Sequence, residues 1–342
     1  MSSADLIREP AWQGLTPGLP EWTEVPGIRA QSILASAGLS GTLLERSDDA
    51  TGTHFKVTKG GEMDLFLKHV PAARSDSEER AQSIARWLAG RGVPVAAPCA
   101  GYPRTVADGS LFVAMPYVHG KRLDPEPEQL RALGRIIAEL HAALAEHPDV
   151  GSWSMSTKQR MASLASTRQA LATRRISCGP LKERLAELAA GEELDFVLPS
   201  SKAAALHGDL NPGNVLLDAE NGLPRLLDFE DVFHSLLPPA FEMMLVIERF
   251  VLARVSDEES VRGCTAALLT GYREAGGHRL EFGIRPADVL RSLALRSLCV
   301  LCQGAQRGVD VSASEWSKFF LLEDAARQSA DMINGMVEEI VA

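Results

Sequence analysis

Leu206-His207-Gly208-Asp209-Leu210-Asn211-Pro212-Gly213-Asn214-Val215-Leu216-Leu217, followed by Asp228-Phe229-Glu230-Asp231, is the stretch on which the reading of this 342-residue chain turns. Asn214 stands five residues after Asp209, and Asp228 fourteen residues after Asn214. Between the last two, Asn214–Leu217 reads as a short apolar strand, Asn221-Gly222 as a turn pair, and Pro224–Leu227 as the returning strand of a hairpin. Asn214 and Asp228 then lie at the open end of paired strands. This spacing suits phosphoryl transfer from a nucleotide: Asp209 in a loop accepts the proton of an attacking hydroxyl, while Asn214 and Asp228 supply oxygen ligands to Mg2+ bridging the phosphates. An ordinary turn followed by a surface acid would have to produce the acid, the asparagine, the hairpin and the Asp-Phe pair together.

These residues resemble the catalytic core of the aminoglycoside phosphotransferase and choline kinase superfamily, small-molecule kinases with a protein-kinase-like fold. The resemblance covers most of the chain and is most specific over residues 206–231. It implies an α+β, bilobal architecture with a small antiparallel β N-lobe and a larger, mostly helical C-lobe. The expected division is an extended lead-in at 1–27, a nucleotide-covering N-lobe and hinge at 28–118, and a helical C-lobe at 119–342 with the catalytic loop and substrate site. Protein kinases carry His-Arg-Asp where this chain has His207-Gly208-Asp209, so the arginine that would receive an activation-loop phosphate is missing. Only about a dozen residues separate Asp228 from the apolar helix expected near Ala240, too few for a peptide-docking segment. A small acceptor is expected.

Upstream, Thr42–Arg46, His54–Thr58 and Asp64–Val70 read as three strands. Lys68 closes the last, where kinases of this fold keep the cation that holds the α- and β-phosphates. The loop Ala50–His54 occupies the place of a phosphate-covering flap, with Thr51 and Thr53 as candidate donors although it has one glycine. Ser75-Asp76-Ser77-Glu78 reads as a capping box opening a helix to Gly90. With Glu78 turned back to the cap, Glu79 is the expected partner of Lys68. Leu111–Val118 resembles the hinge between lobes, with the Pro116 carbonyl and the Val118 N–H facing adenine and Met115 against the base.

Downstream, Glu128–Glu146 has helical apolar spacing, with His141 expected to be packed and hydrogen-bonded and His207 to brace the loop. Helical patterns follow at Thr157–Thr173 and Leu181–Ala190, near 240–256, 258–275 and 286–306, and from a cap at Ser312–Glu315 toward Val341. Glu242 occupies the position where the resembled family places an acid that braces the catalytic loop. Residues 1–27 contain four prolines and two tryptophans without periodicity.

With 45% hydrophobic residues the chain can bury a large core. Its net charge of −10 argues against nucleic acid as a partner. Residues 201–342 hold 21 Asp and Glu against 13 Lys and Arg, a field that would concentrate a cationic acceptor. No apolar run reaches a membrane span and the first residues lack the regions of a signal peptide, so the expected location is the cytoplasm. Cys99, Cys178, Cys264, Cys299 and Cys302 do not describe a disulfide framework and are expected reduced, the Cys299/Cys302 pair serving core packing.

The expectation is therefore an O-phosphotransferase using ATP, or GTP, with Mg2+. Asp209, Asn214 and Asp228 carry the chemistry, and the leading acceptor is an amino-sugar antibiotic. A choline, homoserine or methylthioribose type of metabolite kinase and a catalytically silent nucleotide-binding regulator stand as alternatives.

Overall fold

The computed structural model describes residues 21–46, 53–60, 63–191 and 203–341. The chain forms two compact units. One spans Pro17–Leu123 with Gly213–Glu230; the other contains Asp124–Pro212 and Asp231–Ala342.

In the first unit the order is β1 (Trp22–Glu24), α1 (Gly27–Ala37), β2 (Thr42–Arg46), β3 (His54–Thr58), β4 (Leu65–Val70), α2 (Ser75–Gly90), β5 (Arg104–Thr105), β6 (Leu111–Pro116) and β7 (Gly120–Arg122). Six strands form an antiparallel sheet in the order β1-β2-β3-β4-β6-β5. Alternation explains which face is buried: Phe55 and Val57 of β3 and Leu65 and Leu67 of β4 point into a core with Leu34 and Ala37 of α1, while Lys56 and Lys68 take the opposite face. The boundaries of β2, β3 and β4 match the strands read from the sequence to within one residue, β6 ends two residues before Val118, and β1 and β5 carry no strand pattern that the sequence reading found.

The hairpin β8 (Val215–Asp218) and β9 (Pro224–Leu226) pairs Val215 with Leu226, as the Asn221-Gly222 turn requires. Its grouping differs from the expected 119–342 lobe. β8 also pairs with β7, and the Leu226 backbone exchanges hydrogen bonds of 2.9 and 3.0 Å with Pro94 and Ala96. These main-chain bonds attach the hairpin to the sheet unit although the rest of its sequence neighbourhood is helical.

The second unit contains α3 (Pro127–Ala145), α4 (Trp153–Ala172), α5 (Lys182–Ala190), α6 (Pro239–Val246) running into a π-helical turn at Ile247–Leu252, α7 (Glu258–Glu274), α8 (Pro286–Gln306), α9 (Ala313–Gln328) and α10 (Ala330–Val341). A short ladder joins Ala204–Ala205 to Leu236–Leu237. α3 and α7 approach closely because Gly134 and Gly271 face them: a Cβ on either would lie 2.1 Å from a backbone oxygen of the other helix. This contact brings His141 to Tyr272. The final helical pattern is divided at Ser329 into α9 and α10; Ser312 does cap α9, accepting from the Glu315 N–H at 3.3 Å.

The cysteine expectation is corrected. Cys178 and Cys302 form a disulfide with a Cα–Cα distance of 5.8 Å, whereas Cys299, three residues earlier on α8, remains a buried thiol. A spacing of three places the two α8 cysteines on neighbouring but different azimuths, and only Cys302 meets the segment after α4.

Candidate functional site

Lys68 stands on the polar face of β4, and its Nζ donates to Glu78 Oε2 at 2.7 Å and to Glu230 Oε1 at 3.0 Å. Glu79, the expected partner, is exposed instead. The capping box does not form, since no side chain caps α2 and Ser75 Oγ donates to the Ala72 carbonyl. Glu78 is thereby released to the buried face it shares with Ala81, Gln82 and Ala85, where Gln82 Nε2 donates to its second oxygen at 2.7 Å. Burial opposes the Lys68 charge, but Glu78, Asp228 and Glu230 outweigh it and raise the pKa.

Glu230 also receives Arg74 Nη2 on both oxygens at 2.6 Å. Neither Arg74 nor Glu230 was singled out from sequence. The only signal was an acid two residues beyond Asp228, whose partners lie more than 150 residues upstream.

The hairpin brings Asn214 and Asp228 to one end: the Leu227 N–H donates to the Asn214 carbonyl at 2.9 Å, leaving Asp228 as the next residue. Asp228 is exposed and held at φ 58°, a left-handed conformation uncommon for a non-glycine residue. Its Oδ1 accepts from the Glu230 N–H at 3.3 Å. Asn214 and Asp228, carried at one end of the hairpin, are hard oxygen donors of the kind that would hold Mg2+.

The expected nucleotide contacts are less concentrated. Thr51 lies outside the described residues. Thr53 is half-buried at the start of β3, its carbonyl accepting from the His69 N–H at 2.7 Å. Met115, Pro116 and Val118 are half-buried at the end of β6 and just beyond it. Met115 packs against Val70, Leu111 and Val113, and the adjacent Tyr117 N–H is occupied by the Asp64 carbonyl at 2.9 Å.

In the helical unit the loop 206–212 is pinned from below. Glu242, on the first turns of α6 and fully buried, accepts from the His207 N–H at 3.1 Å and the Gly208 N–H at 2.6 Å. His141 Nε2 meets the same carboxylate at 2.7 Å, and His141 Nδ1 meets the Tyr272 hydroxyl at 2.9 Å. Burial alone would neutralise Glu242; His141 and these N–H donors instead hold its carboxyl below the usual range, and so charged. Gly208 has φ +85°, and a Cβ there would come within 2.0 Å of Ser235 Oγ. No larger residue, arginine included, fits this turn.

Asp209 projects from that loop and is exposed, with Asn211 Nδ2 donating to its Oδ2 at 3.0 Å. The surrounding protein and the neighbouring Asp231 raise its pKa against the opposing pull of His207, Asn211 and Arg249. This is the direction that strengthens a carboxylate as a proton acceptor. Asp231 itself pairs with Arg160 at 2.9 Å.

One unit thus carries a solvent-reaching carboxylate on a braced loop, and the other a lysine, an amide and a carboxylate on its sheet and hairpin, group types that phosphoryl transfer uses. Comparison with known structures gives the same fold at low identity. An aminoglycoside phosphotransferase from Alicyclobacillus acidocaldarius aligns over 93% of this chain and 98% of its own at 14% identity, TM-score 0.52. An amicoumacin kinase in complex with AMP-PNP, Ca2+ and Ami aligns over 88% and 94% at 17% identity, TM-score 0.57. A macrolide 2'-phosphotransferase type I aligns over 90% and 99% at 18% identity, TM-score 0.56. Among curated proteins no match is found by sequence. The family model for the phosphotransferase enzyme family matches residues 42–282, most of the chain and both sets of residues described above, so the protein belongs to that phosphotransferase family.

Proposed function

We propose that this phosphotransferase moves the γ-phosphate of ATP, or alternatively GTP, to a hydroxyl of a small molecule. The observation that carries the reading is the hairpin end, where Asn214 and a left-handed Asp228 stand together and Asp228 acts electrostatically on Lys68. Lys68, oriented by Glu78, holds the phosphates. Asn214 and Asp228 hold Mg2+, which when bound neutralises charge on the phosphate oxygens. Asp209 orients the acceptor hydroxyl and takes its proton, and Glu242 fixes the loop from which it acts. Met115, Pro116 and Val118 border the base, and Thr53 the phosphate flap.

The structural neighbours include enzymes for macrolides, spectinomycin and amicoumacin as well as aminoglycosides. A hydroxylated antibiotic is accordingly the first class of acceptor to assay, with amino-alcohol and sugar metabolites next. The cytoplasm, where nucleotide and Mg2+ are abundant, is the proposed location; among the described residues no helix is long and apolar enough to cross a membrane.

The test is Mg2+-dependent ATP and GTP consumption by the purified protein across these acceptors, with Asp209→Ala as control. Acceptor-stimulated turnover that Asp209→Ala abolishes supports the reading. Turnover unaffected by that substitution would refute it. Nucleotide binding without transfer to any acceptor would favour the regulator alternative.

A further inference from the structure

The helical unit carries cations around Asp209 for which the proposed reaction has no use. Arg160 of α4, Arg249 of the π-helical turn, Arg296 of α8 and Lys318 of α9 converge from four elements. Contacts bring them together: Arg249 donates to Ser297, the residue after Arg296, Arg249 and Lys318 lie 4.6 and 5.3 Å from the same Phe319 ring centre, and Arg296 rests on Phe241, the neighbour of the Glu242 that holds the backbone just before Asp209. Asp209 also acts electrostatically on both Arg296 and Lys318.

Three of these cations have protein partners. Arg160 is bidentate on Asp231 at 2.9 and 3.4 Å. Arg249 Nε lies 2.8 Å from Glu248, and its Nη2 donates to Ser297 Oγ at 3.0 Å. Lys318 lies 3.8 Å from Glu315 and 5.3 Å from the Phe319 ring centre.

Arg296 differs. It is only 7% exposed, its Nε has no hydrogen-bond partner, and no carboxylate lies within ion-pair distance among the described residues. Its guanidinium rests 5.1 Å from the Phe241 ring centre. Burial first, then Arg160 and Arg249, push its pKa down to about 10, which leaves it charged at neutral pH. A buried guanidinium without a counter-ion is unfavourable by itself, and its planar fork matches a carboxylate bidentately. Of the nearby acids, Asp231 is paired with Arg160 at 2.9 Å and Glu248 with Arg249 at 2.8 Å, and Asp209 and Asp231 act on Arg296 only from beyond ion-pair distance.

We propose that the acceptor is a hydroxylated carboxylic acid, hydroxy amino acids included, whose carboxylate is held by Arg296 with Arg249 and Lys318 beside it. This rests on the phosphotransferase reading above and narrows its acceptor. The net negative charge of residues 201–342 points toward a cation, but that count averages over the outer surface, whereas Arg296 acts next to Asp209.

The test is ligand-observed NMR titration of the full chain in MgADP, using pairs that differ only in carboxylate against carboxamide: homoserine and homoserinamide, 4-hydroxybutyrate and its amide. Glycerol 3-phosphate against glycerol forms a third arm. Wild type is expected to bind the acids at least about tenfold more tightly than the amides. Arg296→Met should bring the two within about twofold, Arg296→Lys should lie between, and Asp209→Asn should retain the preference.

Arg296→Met should melt at or above wild type, because it removes a buried unpaired charge; a melting temperature well below wild type would overturn the proposal in favour of a structural arginine. Equal binding of acid and amide, absence of acid binding, or a preference that survives Arg296→Met would also overturn it. So would selectivity for glycerol 3-phosphate alone, or a weakened MgATP KM with unchanged acceptor preference, since these assign Arg296 to phosphate.

Phosphoryl transfer to the same compounds is scored separately. Arg296-dependent binding of the acids without transfer sustains the anion site and counts against the kinase reading. Transfer to a cationic acceptor at full rate in Arg296→Met sustains the kinase and overturns the anion site.

Discussion

Glu242→Ala should damage the protein more than any substitution at a solvent-facing catalytic residue. Its carboxylate receives the His207 and Gly208 N–H groups and His141 Nε2 at 2.6–3.1 Å, all within the buried interior. Truncation leaves three donors unpaired, each costing about 1–3 kcal/mol. Loss of the charge's own desolvation penalty and entry of water offset part of this, leaving about 3–5 kcal/mol. At about 2–4 °C per kcal/mol the melting temperature should fall by about 6–20 °C. Surviving protein should turn over at least about a hundredfold more slowly, because a loop displaced by about 1 Å no longer presents Asp209 correctly.

Glu242→Gln keeps the shape but turns an NH2 toward a donor, so about 2–3 kcal/mol is expected. Glu242→Asp, one methylene shorter, withdraws the oxygens by about 1.5 Å and should cost about 1–3 kcal/mol unless the loop follows. The folded-state pKa of Glu242 is depressed, so its stabilisation is fully present above the ordinary glutamate pKa and is lost as pH falls through the lowered value. Wild type should therefore lose more stability than Glu242→Gln on acidification below about pH 4.5. Chemical denaturation at several pH values, paired with steady-state turnover, checks each figure. An alanine variant with a wild-type melting curve and turnover would refute the bracing argument.

Further outcomes are expected elsewhere. Glu78→Gln should lower kcat/KM for nucleotide by about ten- to a hundredfold, about 1.4–2.7 kcal/mol, while Glu79→Gln leaves it unchanged; the reverse ranking would return the ion pair to Glu79. Asp209→Asn should abolish turnover yet melt at or slightly above wild type, since this carboxyl is held above its usual pKa and so costs stability at neutral pH. For the same reason the acidic limb of the pH–rate profile should lie above the ordinary aspartate range, and a limb at or below it would contradict the assignment. Reduction of the Cys178–Cys302 bond, or Cys302→Ser, should cost up to about 5 kcal/mol, the loop-closure entropy of a sequence separation of 124. Identical melting with and without reductant would argue that the bond does not form in solution.

The chain by itself determined the features that depend on near neighbours. Val215–Asp218 and Pro224–Leu226 form a hairpin because apolar runs flank Asn221-Gly222, and that local geometry alone brings Asn214 beside Asp228. β2, β3 and β4 follow apolar alternation, and α3, α7 and α8 follow helical spacing, because each buries one face whatever packs against it.

Tertiary structure decided the pairings among residues distant in sequence. The local capping rule turned Glu78 away from Lys68, but the core packed Ala81 and Ala85 inward and carried Glu78 with them. Glu230 meets Lys68 across 162 positions, and Cys178 rather than Cys299 meets Cys302. Arg296 sits in a helix whose sequence reads as apolar core, and only the tertiary packing brings it onto the Phe241 ring and within the electrostatic reach of Asp209. Periodicity tells which residues a helix will bury, but the charge that a buried residue meets is set by segments folded in from elsewhere in the chain.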